Sequence, residues 1–204
     1  MGAPGASVHP GVEKCIPRTL RRSARACSFC ADKLPQKPRP VFLVGKAARL
    51  LIVGQAPGRR VHETGIPWND PSGDVLRAWL ALDREAFYDT SRIAIVPVGL
   101  CYPGTVDGVD LPPCRDCAPL WQPRFRAAMP GIRLTLLVGS YAQAYYLKKR
   151  RKASVGATVR SYRDYLPDFF PLPHPSWRNI GWLQRNPWFA KDVLPALRRR
   201  VRTV

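Results

Sequence analysis

The sequence predicts an α/β protein: a three-layer α/β/α sandwich with a central, mainly parallel sheet of about four strands. Three observations carry this. Short apolar segments at 49–54, 92–98, 133–138 and 169–172 alternate with stretches of helical pattern, the order that produces parallel strands covered by helices. The apolar residues run continuously instead of alternating with polar ones, as in strands buried on both faces. Finally, 204 residues with 46% hydrophobic content suit one domain with a substantial core.

The elements follow in order. Residues 1–16, rich in Gly, Pro and Ser without periodicity, are expected to be a disordered tail, leaving 17–204 as the domain. Pro17 suits a first helical turn, and a helix to about Ala31 would present Cys27 and Cys30. The proline-rich segment 35–41 reads as an extended connector. Leu50, Leu51, Ile52 and Val53 form a buried strand that stops at Gly54. A long polar loop from Gln55 to Gly73 follows, and loops of that length are uncommon unless functional. Ser72 is read as the cap of a helix from Gly73 to Leu82. After the strand Arg92–Val98, a Gly/Pro/Asp loop runs to about Pro113, then a helix over about Cys114–Met129 broken or shifted by Pro119 and Pro123. The strand Arg133–Val138 leads through Gly139 into a helix ending near Tyr146. Helix at 156–166, the strand Phe169–Leu172, a tight His174-Pro175-Ser176 turn and helices at about 177–185 and 188–201 close the chain.

No apolar stretch approaches the length of a membrane span, and the N-terminus lacks the apolar core of a secretory signal. Ala6 stands where a myristoylation signal needs Ser or Thr. Arg18–Arg25 imitate a transit peptide but run directly into the cysteine motif. A cytoplasmic monomer is the expectation. The net charge of +19, from 33 Lys+Arg against 14 Asp+Glu, implies a polyanionic partner or strong solvation. Arginine supplies most of it and favours bidentate phosphate contact. Nucleic acid is therefore preferred over an arginine-rich composition of no consequence.

Three strand ends carry a family pattern. Gly54-Gln55-Ala56-Pro57-Gly58 is followed by Gly65-Ile66-Pro67-Trp68 and Ser72-Gly73. His174-Pro175-Ser176-Trp177-Arg178-Asn179 follows the last strand. Cys27-x-x-Cys30 near the start and Cys101-x15-Cys117 after the second strand complete the set. Together these resemble the uracil-DNA glycosylase superfamily, most closely its iron–sulfur branch, families 4 and 5, over roughly residues 20 to 200. The resemblance implies an enzyme that cleaves the N-glycosidic bond of uracil in DNA and so starts base-excision repair. It implies a monofunctional one, because no lysine stands at a convincing Schiff-base position. A catalytically silent DNA-binding member of the same fold and a zinc-containing nucleic-acid-binding module are the alternatives. DNA is the implied partner, with the damaged base turned out of the strand.

The cysteines number six, with Cys15 and Cys114 besides the four of the pattern. In a chain without a secretory signal, metal binding outranks disulfides. Spacing leaves a [4Fe–4S] cluster and a tetrahedral zinc near even, because Cys114-x-x-Cys117 paired with Cys27-x-x-Cys30 has a zinc-like form. Buried, unligated thiols are the plain alternative. The resemblance favours a [4Fe–4S] cluster on Cys27, Cys30, Cys101 and Cys117, with a structural task; Cys15 is a bystander.

For the reaction, the resemblance makes Trp68 the platform on which the base stacks, where the family has Phe, with a core tryptophan as the plain alternative. His174 donates a hydrogen bond to the base carbonyl that gains charge, unless it is a structural histidine. Gly54, Ala56, Gly58 and Asn69 are the other base-binding candidates, and Arg178, Arg59, Ser176 and Pro57 the DNA-binding ones. Arg178 falls where the superfamily inserts a wedge into the vacated stack, and a phosphate contact is an equal reading. Gln55 replaces the family-4 Glu and Ala56 the water-positioning Asp or Asn of other branches, so the usual acid is missing. Gln55 and Asp70 are catalytic candidates, with Asn69 and His62 nearby, although a solvated loop residue is the plainer reading of the last three. Gly58 replaces the bulky Tyr that excludes thymine in the strict uracil branch, and Pro97 a uracil-reading Asn. A broader range of deaminated bases, hypoxanthine or xanthine among them, is expected.

Overall fold

The first strand, β1 (Leu50–Val53), is buried at every residue. It pairs in parallel with β2 (Ile93–Ile95) on one side and β5 (Leu134–Val138) on the other. The last strand, β6 (Phe169–Leu172), adds in parallel to β5, so the sheet order is β2-β1-β5-β6. The computed structural model describes residues 17–204; the expectations for residues 1–16, Cys15 included, lie outside them. Pro171 cannot donate to a ladder, and its strand lies at the sheet edge, where that is tolerated.

Alternate residues of each strand enter opposite cores, which explains the continuous apolar runs. Leu51, Val53, Ala94 and Leu137 face one helix layer, with α5 (Cys117–Ala128) and α6 (Ser140–Leu147) packed on it and α1 (Arg18–Arg25) on α5. Leu50, Ile52, Leu134, Leu136 and Phe170 face the other, made by α3 (Pro71–Leu80), α7 (Val155–Arg160) and α9 (Leu194–Arg202). Each buried aliphatic side chain contributes about 1.5–3 kcal/mol. The expected three-layer sandwich is the observed architecture. Among the described residues no helix is long and apolar enough to cross a membrane.

Five local expectations change. The first helix ends at Arg25, so Cys27 and Cys30 lie in the turn beyond it and not on a helix. The Gln55–Gly73 loop contains a short helix, α2 (Arg59–Thr64), which Gly65 ends with a left-handed φ of 70°. The cap of α3 is Asp70, not Ser72: Pro71 takes the first helical position, and Asp70 Oδ1 accepts the Gly73 amide at 2.8 Å. A hairpin of β3 (Thr105–Val106) and β4 (Val109–Asp110) interrupts the Gly99–Pro113 loop. Its turn residues, Asp107 and Gly108, both have positive φ (50° and 72°), the geometry that closes a two-residue hairpin. Finally, α5 starts at Cys117, because Cys114–Asp116 form a turn that brings the Cys114 carbonyl to the Cys117 amide at 3.2 Å. Pro123 sits inside α5 without ending it. The short helices α4 (Arg84–Tyr88) and α8 (Ile180–Arg185) complete the layers.

Between β2 and β5 the chain crosses over β1, so the strand order reverses there. Crevices in open parallel sheets form at such points, beyond the carboxyl ends of the strands.

Candidate functional site

A cavity of about 450 Å³ opens at that edge. The segments leaving β1 (Gly54–Gly58), β2 (Pro97) and β6 (His174–Asn179) line it, together with Trp68 and Asp70. Two buried glutamines hold its base. Gln122 Nε2 donates to the carbonyls of Val96 and Pro97 at 3.0 and 2.9 Å, fixing the backbone after β2. Gln143 Nε2 donates to the Leu172 carbonyl at 2.9 Å, just before the His174 turn.

Trp68 and His174 form facing parts of the wall, their ring centroids 5.6 Å apart and their planes inclined by 35°. The indole is partly buried and also packs on the core beneath. Glycines make this possible. A Cβ at Gly54 would lie 2.8 Å from the indole Cζ2. Gly139 holds a φ of 86°, which a side chain would strain, and a Cβ there would only touch His174 Cβ at 3.5 Å.

Asn179 Nδ2 donates to the His174 carbonyl at 2.7 Å and holds the turn. Burial lowers the His174 pKa below its ordinary 6.5, as does Arg178, against the opposing charges of Asp70 and Asp110. The ring is therefore neutral at pH 7, with one N–H to donate. Since the folded state favours the neutral form, the unfolded chain takes up the proton first as pH falls below 6.5. The stability tied to neutral His174 is complete above that value and is lost as pH falls toward the lowered folded pKa. Tm measured from about pH 7.5 to 5 should thus fall more steeply for the wild type than for His174→Asn; equal slopes would contradict it.

The remaining candidates divide. Gln55, Ala56, Pro57, Gly58, Asp70, Ser176 and Arg178 line the cavity with Gly54, Trp68 and His174. Asp70 spends Oδ1 on capping α3. Asn69 is not among the lining residues; its side-chain oxygen accepts from Arg84 at 3.1 Å. Arg59 is exposed on α2 and pairs with Glu63 at 3.1 Å. His62 turns away, its ring 5.8 Å from that of Tyr102. The Arg178 guanidinium donates to the Gly108 carbonyl of the hairpin and lies over the Trp177 ring. Sequence reasoning overlooked two residues of the rim. Trp177 is 73% exposed beside the cavity mouth. Asp110 reaches the cavity from the hairpin.

Five cysteines, Cys27, Cys30, Cys101, Cys114 and Cys117, line a second pocket together with Leu34, Pro38, Pro40, Leu100 and Trp121. Cys27 Sγ accepts the Trp121 indole N–H at 3.4 Å, and Cys117 Sγ the Leu100 amide at 3.3 Å. Cys114, outside the family pattern, lies 2.8 Å from Cys30 between the two sulfurs. Burial pushes the Cys101 thiol up to about 11 and that of Cys117 to about 12, so without a cation they hold their protons. The thiols surround the pocket without converging on one point. Among the described residues no group of three or more His, Cys, Asp or Glu is arranged to hold a metal ion.

A profile of the Uracil DNA glycosylase superfamily matches residues 42–198. Among solved structures, the chain is similar to the solution NMR structure of a provisionally assigned uracil DNA glycosylase from Methanosarcina acetivorans. The two share 15% identity with a TM-score of 0.46, over 79% of this chain and 98% of that one.

Proposed function

This chain belongs to the uracil DNA glycosylase superfamily, and from that premise we propose that its cavity holds a base turned out of DNA and cleaves the N-glycosidic bond by hydrolysis. The observation that carries the proposal is the pairing of an aromatic wall with a neutral imidazole, Trp68 facing His174, inside a cavity at the sheet's carboxyl edge. Cleavage builds positive charge on the sugar and negative charge on the departing base. Preorganised dipoles that meet both charges supply rate. Trp68 stacks on the base, and the His174 N–H donates to the base carbonyl as it becomes an oxyanion, without burying a cation there.

At the exposed rim of the cavity, Trp177 is the side chain that enters the stack the base vacates; Arg178, tied to the hairpin, supports it. Arg59, Ser176 and the backbone around Pro57 contact phosphates. No lysine is among the described residues that line the cavity, which supports a monofunctional hydrolase without Schiff-base chemistry. Gly58 and Pro97 stand in the lining at the positions where a Tyr and a uracil-reading Asn would narrow the choice of base. Under single-turnover conditions, a panel of oligonucleotides carrying uracil, hypoxanthine or xanthine should show release of more than one base. Strict preference for uracil would contradict the breadth.

We also propose that the chain is of the iron–sulfur branch and that Cys27, Cys30, Cys101 and Cys117 hold a [4Fe–4S] cluster. The thiols' common pocket fits this, as do its apolar walls and the N–H donors aimed at two of the sulfurs. A cluster also suits thiols arrayed around a space, since each cysteine then binds a different iron. When bound it supplies a cross-link between the 27–30 turn, the 101 loop and the start of α5. Purified protein should be brown, with about four irons per chain. A colourless protein with one zinc would overturn this and favour the tetrahedral site through Cys114.

A further inference from the structure

We propose that Asp110, on the hairpin over the cavity, is the carboxylate that takes the proton from the attacking water; the proposal rests on the glycosylase reading above. The loop after β1 carries Gln55 where a proton acceptor is needed, and an amide cannot take the proton. A carboxylate reaches that loop from the β3–β4 hairpin. Asp110 lines the cavity, and a Cβ on Gly58 would stand 3.7 Å from Asp110 Oδ2. That oxygen therefore overhangs the Gly54–Gly58 loop. The other oxygen, Oδ1, accepts the Thr105 hydroxyl at 2.9 Å, and Thr105 is itself bonded to the Tyr102 hydroxyl. One oxygen thus orients the group and the other is presented to the loop.

The hairpin that carries Asp110 is fastened at several points. Arg178 donates to the Gly108 carbonyl, Gln55 Nε2 reaches the Leu111 carbonyl at 3.5 Å, and the Leu111 amide returns to Gly104 at 2.9 Å. Gln55 therefore braces the element that bears the acid it lacks. Asp110 and His174 line the same cavity, and the charge of Asp110 bears on the imidazole. Asp70, the other carboxylate of the lining, has one oxygen committed to the start of α3.

The step balances. The water oxygen bonds to C1′, the C1′–N bond breaks with its electron pair leaving on the base, and the water proton passes to Asp110 Oδ2. The base anion, held by His174, is then protonated from solvent, and Asp110 returns its proton there. One water is consumed.

The test is single-turnover release of uracil from a single-stranded oligonucleotide by wild type, Asp110→Asn, Asp70→Asn and Thr105→Val. Asp110→Asn should be slower by about 10²-fold, the range of a lost general base. Its affinity for an oligonucleotide with a tetrahydrofuran abasic analogue and its Tm should match the wild type. Thr105→Val, which frees the carboxylate to rotate, should fall between the two, and keeps the test open if Asp110→Asn folds poorly. Asp110→Asn within about threefold of wild type, or Asp70→Asn carrying the larger loss, would overturn the assignment. A wild-type protein that releases no base would instead overturn the glycosylase reading on which it rests.

Discussion

His174→Ala is expected to slow base release under single-turnover conditions by about 10²–10³-fold, the loss typical of one removed oxyanion donor. The magnitude follows from how firmly the imidazole is placed. It follows the edge strand β6, whose end is held by Gln143 through the Leu172 carbonyl at 2.9 Å. Asn179 fixes the turn behind it at 2.7 Å. A donor held this way needs no reorganisation as charge develops. Burial keeps it neutral, so in the proposed reaction its N–H serves the oxyanion without the cost of a buried ion. The substitution does not touch the proposed phosphate contacts at Arg59, Ser176 and Pro57, so affinity for DNA with an abasic analogue should be little changed. A loss smaller than about tenfold would remove His174 from the reaction.

A large stability effect is expected at Gly73. Its amide donates to Asp70 Oδ1 at 2.8 Å, and a Cβ there would collide with the Trp68 carbonyl while lying 2.7 Å from the Trp68 carbonyl carbon. Backbone has to move, and the loop has little freedom. Trp68 already holds a positive φ of 57°, and its carbonyl accepts from Arg77 at 3.2 Å. Gly73→Ala should cost about 3 kcal/mol, at the upper end for overpacking. That corresponds to a fall in Tm of about 6–12 °C for a domain of this size. Because the strain falls on Trp68, base release should weaken as well. A Tm within about 2 °C of wild type would show that the loop yields.

The sheet was legible because its cause is local. Leu50–Val53 and Leu134–Val138 announce burial on both faces by their composition, and each strand ends where Gly54 or Gly139 breaks the run. The Asp70 cap was equally local and was misread: Pro71 at the first helical position moves the cap back two residues from Ser72. The hairpin had a signal of its own, Asp107-Gly108 between Val106 and Val109, passed over inside a Gly/Pro-rich loop. Missing it concealed Asp110. Nothing in sequence spacing joins Asp110 to Gly58 or to the cavity that His174 lines; the hairpin's fold brings it there. The same holds for Cys114, whose approach to Cys30 depends on the turn before α5. The pattern Gly54–Gly58, Trp68 and His174 marked the cavity in advance, because three strand ends of a parallel sheet meet at one edge.

The central claim is that this cavity releases a base. Wild-type protein mixed in excess with a uracil-containing oligonucleotide tests it most directly, the products being read by mass spectrometry. The prediction is free uracil together with an intact strand carrying an abasic site. A strand that is bound but unchanged, with no free base from uracil, hypoxanthine or xanthine, would contradict it and leave a DNA-binding protein on a glycosylase scaffold.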